Sequence, residues 1–210
     1  MKNYEDYSLK EFADTLSSQE PTPGGGSAAA VSGALAASLL LMVIRVTENS
    51  PDLDRYQDNL EAKKKRALEL IDEDADSFNE VMKAFRLPRE TEEEREQRAE
   101  KIQAAFKTAA ATPLEMIKLS VDVAELAVEV AEKGNDNAIT DAAAGAIAAR
   151  AAADIAYYNV MINLESIEDE KFVERTGGRA HDLKLRAANL LEEVIATTEE
   201  NIDILGSDWQ

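Results

Sequence analysis

The stretch PTPGGGSAAAVSGALAASLLLMVI, residues 21–44, contains no charged side chain, although 31% of the 210 residues are Asp, Glu, Lys or Arg. Three structures are compatible with it: a membrane span, a phosphate-binding glycine loop, and a buried helix of a folded domain. Its length suffices for a span of about 20 residues. However, ten of its 24 residues are Gly, Ser, Thr or Pro, so its first half would insert poorly into lipid. We therefore predict no membrane span.

The glycines at 24–26 do not form a nucleotide-binding loop of the Walker type. That loop requires a lysine after its last glycine and a strand before its first, whereas Ser27 follows Gly26 and the preceding pattern is helical. Flexible glycines that open a helix can still present backbone N–H groups to an anion or a carbonyl oxygen. Ala29, Gly33 and Ala37 follow at intervals of four, which predicts a ridge that another helix approaches closely. The stretch therefore predicts a buried helix with a site at its start.

Charge and composition exclude several classes of protein. A net charge of -19 leaves no dominant basic face for nucleic acid. Cysteine is absent and His181 is the one histidine, which rules out disulfides, thiol nucleophiles, and metal sites built from thiolates or several histidines. The N-terminal segment MKNYEDYSLKEF has no apolar core, so we predict no signal peptide and a cytoplasmic protein.

Apolar residues recur with helical period along nearly the whole chain, and alternating strand patterns are absent. Capping boxes mark the starts of two helices, at Ser8 with Glu11 and at Thr91 with Glu94. A third long pattern covers residues 52–85. We predict an all-α, single-domain helical bundle spanning residues 1–210, with long helices and close-packed Ala/Gly-rich core helices.

Prolines and glycines predict further helix boundaries. Thr112 and Pro113 have the pattern of an N-cap followed by proline in the first turn, which predicts a helix from there to Gly134. Residues 140–163 predict the next helix. The last region, 169–205, is helical in pattern, and the pair at 177–178, both glycine, predicts a break within it.

Several polar residues interrupt apolar helix faces. Asp74 has Leu70, Ile71, Phe78 and Val81 as its helical neighbours, and a buried carboxylate without a partner is costly and should have a raised pKa. Each polar residue alone is equally well explained by a helix cap or a local hydrogen bond. A small-residue face within residues 139–163 also contains polar residues: it includes Asp141, Gly145, Ala148, Ala152, Ile155, Ala156, Asn159 and Asn163. Together with Asp74, the polar residues of this face predict a polar pocket within the bundle.

The segment KGNDNAITD, residues 133–141, gathers amides, a hydroxyl and a carboxylate at the start of a predicted helix. Gly134 ends one helix, Asn135 and Asn137 suit a turn, and Thr140 or Asp141 starts the next helix. As structure, this is an ordinary connection between helices. As chemistry, it places polar groups at well-defined positions.

Four motifs, PTPGGGSAAA, DADSFNEVMKAFRLP, GNDNAITDAAAGA and NVMIN, resemble those of the cyclodeaminase/cyclohydrolase family of folate enzymes. The resemblance covers nearly the whole chain and departs from the family at Thr140, where serine is more usual. It implies an all-α homodimer that acts on one-carbon derivatives of tetrahydrofolate without metal or cofactor.

The resemblance implies one of two reactions. Because no formiminotransferase domain is recognised in the sequence, we expect hydrolysis of 5,10-methenyltetrahydrofolate to 10-formyltetrahydrofolate. The alternative is cyclisation of 5-formiminotetrahydrofolate with loss of ammonia, through a similar tetrahedral carbon. A helical interaction protein that retains the fold without catalysis is a third hypothesis.

The resemblance also suggests roles for individual residues. Asp141 is the expected principal carboxylate and Asp74 its helper; either could instead bind the pterin. Arg45 or Arg150 would meet the glutamate carboxylates of the folate tail, or pair with an acid of the core. The KKKR run at 63–66 is expected to be a solvated helix face, with attraction of an anionic tail as the alternative. The other expected substrate-binding residues are Gly24, Gly25, Gly26, Ser27, Asn135, Asn137, Thr140, Asn159 and Asn163; His181 is expected at the surface.

Overall fold

The computed structural model describes residues 3–48 and 50–202, and every regular element within these ranges is helical. The all-α prediction is therefore confirmed. Short 3-10 turns occupy Tyr4–Asp6 and Asp136–Ala138. The α-helices are α1 (Leu9–Leu16), α2 (Gly25–Val46), α3 (Pro51–Asp54), α4 (Gln57–Phe85), α5 (Glu92–Lys133), α6 (Ile139–Leu164) and α7 (Glu170–Asn201).

The predicted capping boxes form at the starts of α1 and α5. The Ser8 hydroxyl accepts a hydrogen bond from the Glu11 N–H at 3.2 Å, and Glu11 in return accepts one from the Ser8 N–H at 2.7 Å. Thr91 and Glu94 make the same reciprocal pair. Both boxes satisfy N–H groups that the first helical turn leaves without partners, so local sequence determines where these helices begin.

Helix α2 lies at the centre of the bundle, against α4, α5 and α6. Its start faces the end of α6, since a Cβ atom at Gly25 would lie 3.2 Å from Asn159 Nδ2. Farther along, a Cβ atom at Gly145 would lie only 2.9 Å from Leu40 Cδ2 and 3.3 Å from the carbonyl oxygen of Ala36. Helices α2 and α6 are therefore antiparallel, and the glycine permits their close approach.

The ridge predicted on α2, Ala29, Gly33 and Ala37, is buried, and its middle residue lies against α5. Ala29 and Ala37 are fully buried. A Cβ atom at Gly33 would contact Met116 and Leu119 of α5 at 3.4 and 3.7 Å. Helix α2 thus has small residues on more than one side, which lets the long helices α4, α5 and α6 pack closely against it.

Helix α2 is the one described helix that is long and apolar enough to cross a membrane, with a mean hydropathy of 2.1 in its most apolar window. Of that window, 61% is buried inside the protein. Leu40, Leu41, Val43 and Ile44, the strongly apolar part, are at most 1% exposed. The helix is accounted for as the core of the bundle.

The prediction of a helix start at Pro113 is wrong, because α5 continues through this residue from Glu92 to Lys133. Proline removes the N–H that would bond the carbonyl of Ala109, four residues earlier. In the structure, Asn163 Nδ2 of α6 donates to that carbonyl oxygen at 3.0 Å. A side chain from another helix therefore replaces the missing backbone donor.

The predicted break at 177–178 is also wrong, since α7 is continuous from Glu170 to Asn201. Neither glycine adopts a positive φ. Gly177 lies against Leu164, whose Cδ1 would be 3.4 Å from a Cβ atom there, so the glycine lies at a packing contact inside a continuous helix. The third predicted segment is divided instead, into α3 and α4. Residues 203–205 of the last segment lie outside the described residues.

Candidate active site

A pocket of about 470 Å³ opens where α2 begins, between α4, α5 and the end of α6. The predicted residues Gly24–Gly26, Asp74, Asn159 and Asn163 line it together. Its remaining lining residues are mostly apolar: Pro21, Thr22, Ser77, Phe78, Val81, Met82, Phe85, Phe106, Ala109, Ile162, Glu165 and Ser166.

Asp74 is the central acid of this pocket. Its Oδ2 lies 3.1 Å from the hydroxyl of the fully buried Ser27, which also lies 3.0 Å from the carbonyl oxygen of Ile71. Burial raises the pKa of the Asp74 carboxyl above its usual value, while hydrogen bonds from the hydroxyl and the backbone N–H of Ser27 oppose that rise. The group is thus poised to exchange a proton closer to neutral pH than an ordinary aspartate.

The glycines explain how this carboxylate reaches the start of α2. A Cβ atom at Gly26 would lie 2.0 Å from Asp74 Oδ1, a distance that no real contact permits. Gly25 likewise leaves room for Asn159. We predicted that these glycines bring backbone against a ligand; what the structure shows is that Gly25 and Gly26 bring backbone against two side chains, Asn159 and Asp74, that line the same pocket.

Asn159 and Asn163 are fixed through their amide nitrogens. Asn159 Nδ2 donates to the carbonyl oxygen of Ile155 at 2.9 Å, and Asn163 Nδ2 donates to those of Ala109 and Asn159. Within residues 3–48 and 50–202, no donor bonds the Oδ1 atom of either side chain. Two rigid acceptor oxygens are therefore available to a ligand with N–H groups.

One end of the pocket is aromatic, which the sequence analysis did not predict. The rings of Phe85 and Phe106 meet edge to face with centroids 6.0 Å apart. Phe78 and Phe85 are 39% and 43% exposed. The spacing of Asp74, Phe78, Val81 and Phe85 places all four on one face of α4, and that spacing is the signal in the sequence for an aromatic end.

The polar segment at residues 133–141 lies at the other end of α6. Asn135 holds this segment in place. Its N–H donates to Thr47 Oγ1 and its Nδ2 donates to the Val46 carbonyl oxygen, both at 2.9 Å, which fastens the connection to the end of α2. Its Oδ1 accepts from the Asn137 N–H within the connection.

A single subunit therefore does not bring Asp141 to Asp74, as a shared pocket would require. Asp141 precedes Asn159 by 18 residues in one helix, a separation of roughly 27 Å. Thr140, Asn135 and Asn137 lie at the same distant end. The reason is the antiparallel packing of α2 and α6, which places the start of α6 beside the end of α2.

The two arginines expected at the folate tail are paired elsewhere. Arg45 Nη2 lies 2.6 Å from Glu61 Oε1. Arg150 Nε lies 2.7 Å from Asp154 Oδ2, and its Nη1 donates to the Lys184 carbonyl oxygen. Neither arginine lines the pocket of its own subunit, and the acids with which they pair, Glu61 and Asp154, are only partly buried.

The KKKR run at residues 63–66 and His181 do not line the pocket. The KKKR run was expected to be a solvated helix face; Lys65 is exposed and the other three residues are partly buried. All four pair with acids of the protein: Lys63 with Asp122, Lys64 with Glu61, Lys65 with Glu69, and Arg66 with Glu69, Glu73 and Glu115. His181 is exposed, as expected. In the part of the chain that the structure describes, no cluster of three or more acids or histidines could hold a metal ion.

Known proteins resemble this chain over most of its length. A methenyltetrahydrofolate cyclohydrolase of Methylorubrum extorquens is 36% identical over 93% of this chain and 97% of its own. A formimidoyltransferase-cyclodeaminase of Mus musculus is 31% identical over 92% of this chain, which spans 37% of that longer protein. The crystal structure of a formiminotetrahydrofolate cyclodeaminase from Thermotoga maritima superposes with a TM-score of 0.84 at 30% identity, covering 93% of this chain and 98% of that one.

The family model described as formiminotransferase-cyclodeaminase matches residues 8–182. That range includes the whole pocket and the distant polar segment. The chain belongs to the formiminotransferase-cyclodeaminase family.

Proposed function

We propose that this protein hydrolyses 5,10-methenyltetrahydrofolate to 10-formyltetrahydrofolate. The observation that carries the proposal is the partly buried Asp74 carboxyl, held by Ser27 beside the open oxygens of Asn159 and Asn163. Similarity to a cyclohydrolase along nearly the full length of both chains supports the same reaction.

The proposed mechanism uses Asp74 as a proton shuttle. The methenyl carbon between N5 and N10 is part of a cationic amidinium, so a nearby carboxylate favours its binding. Ionised Asp74 accepts a proton from water as the water oxygen bonds to that carbon. The neutral acid then returns the proton to N5 while the carbon–N5 bond breaks. The added hydroxyl becomes the formyl carbonyl on N10, and its proton is released to solvent.

The asparagines and the aromatic residues of the pocket match the pterin and the p-aminobenzoyl ring of the substrate. The oxygens of Asn159 and Asn163 would accept hydrogen bonds from the pterin N–H groups. Phe85 and Phe106 provide an apolar wall for the p-aminobenzoyl ring. Since the electrophile already carries a positive charge, the proposed reaction requires no metal and no cofactor.

A second candidate function is the cyclodeaminase reaction, favoured by the resemblance to the mouse and Thermotoga proteins. There N10 would attack the formimino carbon on N5, and ammonia would leave the resulting tetrahedral carbon. Asp74 would again carry a proton, in this case to the departing ammonia. The same pocket can support this chemistry because both reactions pass through a tetrahedral carbon between N5 and N10.

Parallel incubation with the two substrates tests both functions. We expect methenyl absorbance to fall when the protein is given 5,10-methenyltetrahydrofolate. An increase with 5-formiminotetrahydrofolate, together with release of ammonia, would instead indicate the cyclodeaminase. If neither absorbance changes and neither compound raises the melting temperature, the protein is a helical interaction protein rather than a folate enzyme.

We further propose that the protein is a homodimer, formed through the outer faces of α2 and α6. Leu35 on α2 and Ile147, Tyr158 and Ile162 on α6 are between 51% and 64% exposed. A face about 35 Å long and two helices wide approaches the area of about 800 Å² per partner that stable interfaces bury. Sedimentation analysis should give a dimer for the wild type and a monomer for Leu35→Glu; a monomeric wild type would reject the proposal.

In such a dimer, Asp141 can act only on the partner's pocket. If the two-fold axis crosses α2 and α6, the start of α6 in one subunit lies over the start of α2 in the other. Asp141→Asn should then abolish turnover. Mixing Asp74→Asn and Asp141→Asn subunits should restore about one quarter of wild-type activity, because half of the dimers are mixed and each has one intact site. No restoration would show that Asp141 does not act on the pocket of the partner subunit.

We also propose that the protein works in the cytoplasm. A net charge of -19 favours solubility. The sequence has no cysteine, so the protein would gain no stabilising disulfide in an oxidising compartment. Cell fractionation tests this: the protein should be recovered in the soluble fraction without detergent.

A further inference from the structure

The pocket is elongated, and its two ends differ in chemistry. Phe85 follows Asp74 by 11 residues along α4, which separates the two ends by about 16 Å. The polar end contains Asp74 and the two asparagines, and the other end is formed by Phe85 and Phe106. A tetrahydrofolate derivative is elongated in the same way, with its pterin at one end, an aromatic ring in the middle and glutamate at the other end.

In the described part of the chain, no positively charged side chain lines the pocket to bind that glutamate. Among the described residues that line it, only Asp74 and Glu165 are charged, and both are acids. The whole chain has a net charge of -19, which opposes the approach of a dianionic tail. A cation placed just beyond the aromatic end is therefore needed to hold the tail.

Arg98, on α5, is a cation at that place. Its guanidinium carbon lies 5.7 Å from the centre of the Phe85 ring, and its Nε and Nη2 donate to the Phe85 carbonyl oxygen at 3.3 and 3.1 Å. Within residues 3–48 and 50–202, no other cation makes a hydrogen bond, ion pair or ring contact with a residue lining the pocket.

The charge of Arg98 is also uncommitted. No carboxylate in the described part of the chain pairs with it, and its Nη1 makes no hydrogen bond there. By contrast, Arg95 on the same helix pairs with Glu92 at 2.9 Å, and Lys107 pairs with Asp169 at 2.7 Å. The two bonds to Phe85 hold the guanidinium in position while one edge remains free for a carboxylate.

We propose that Arg98 binds a glutamate carboxylate of the folate tail and so selects substrates that carry glutamate. This inference rests on the proposed function. Arg98 is a specificity residue in this proposal: it contacts a part of the substrate remote from the reacting carbon. It should therefore affect substrate binding and leave the chemical step nearly unchanged.

The experiment compares two substrates, 5,10-methenyltetrahydrofolate and the corresponding methenyltetrahydropteroate, which lacks glutamate. Arg98→Ala should raise KM for the first substrate about 10- to 100-fold, the effect of losing a charged hydrogen bond, with kcat changed less than about threefold. It should not change KM for the second. Arg98→Lys, which keeps the charge without the planar fork, should fall between Arg98→Ala and the wild type.

Arg95→Ala is the matched control, since it removes an equal charge from the same helix. If it raises KM as much as Arg98→Ala, the effect is one of net charge and the proposal is overturned. An Arg98→Ala variant that is impaired equally on both substrates also overturns it, because that result indicates a structural role through Phe85. Circular dichroism and melting temperature establish that each variant is folded.

Binding of a tail fragment separates this proposal from the proposed reaction. Calorimetry should detect p-aminobenzoyl-L-glutamate binding to the wild type, weaker binding to Arg98→Ala, and no such difference for p-aminobenzoate. If the wild type turns over neither substrate but this difference persists, the reaction is wrong and the Arg98 site stands. If the fragment binds both proteins equally, the Arg98 site is wrong whatever the reaction.

Discussion

The two ends of the α2–α6 pair are both polar, yet they use their polar groups differently. At the pocket end, Gly26 leaves room for Asp74 to reach the start of α2, and the side-chain Oδ1 atoms of Asn159 and Asn163 accept no hydrogen bond from the described residues. At the opposite end, Asn135 uses its backbone N–H and its Nδ2 to fasten the connection to the end of α2, and its Oδ1 accepts a hydrogen bond from the Asn137 N–H within the connection.

The difference shows that polar side chains near helix ends are not equal evidence for a site. A group whose hydrogen-bonding capacity is used by the backbone contributes to the fold. A group that is held rigidly but keeps a free acceptor can bind a ligand. By this criterion, the pocket end is the stronger candidate for a ligand site within one subunit, and the opposite end would reach such a site only in the proposed dimer.

The largest effect should come from removing the acid at the pocket end. Asp74→Asn keeps the shape and an acceptor for Ser27 but cannot carry a proton. Turnover of methenyltetrahydrofolate should fall about 10²- to 10⁴-fold, the usual contribution of a general acid or base. Asp76→Asn, an exposed change on the same helix, should retain full activity. Equal rates for Asp74→Asn and the wild type in the absorbance assay would remove Asp74 from the mechanism.

The sequence predicted the local part of this picture. The capping boxes at Ser8 and Thr91 form because they depend on residues within one turn. The glycines, Asp74, Asn159 and Asn163 meet in one pocket because helical period places each on an inward face.

Other features depend on tertiary neighbours and were not predictable from local patterns. Pro113 stays inside α5 because Asn163, fifty residues later, supplies a donor to Ala109. Asp141 and Asp74 lie apart because the relative direction of α2 and α6 is not encoded in the period of either helix. The aromatic end was missed because exposed and buried apolar residues share one face of α4.

The second-largest effect should come from filling the space at Gly26. Gly26→Ala would place a methyl group against the Asp74 carboxylate, forcing it away from Ser27. We expect activity to fall on the order of 100-fold, as for displaced catalytic groups, and unfolding free energy to decrease by about 1–3 kcal/mol. Gly178→Ala is the control, since no atom lies within 4 Å of its Cβ position, and it should stabilise α7 by about 0.5–1 kcal/mol. Retention of full activity in Gly26→Ala would show that the close approach is dispensable.

The pH dependence should distinguish the pocket end by its raised pKa. As a base, Asp74 must be ionised, so kcat/KM should fall tenfold per pH unit as pH drops below the raised pKa. The raised pKa of Asp74 changes the stability of the fold with pH in the opposite direction to activity. The folded state binds the proton more tightly than the unfolded state, so the unfolding free energy decreases as pH rises between the usual and the raised pKa. Denaturant titrations of Asp74→Asn should lack this decrease.

The smallest effect should come from removing the side-chain amide of Asn163, which lines the pocket and also bonds the backbone of α5. Asn163→Ala removes the donor to the Ala109 carbonyl oxygen, which Pro113 leaves without its helical partner. Unfolding free energy should decrease by about 1–3 kcal/mol, the cost of a buried acceptor left unsatisfied. Pro113→Ala restores the backbone N–H, so in that background Asn163→Ala should cost less, and a double-mutant cycle measures the difference. Additive effects in the cycle would mean that Asn163 does not compensate for the proline.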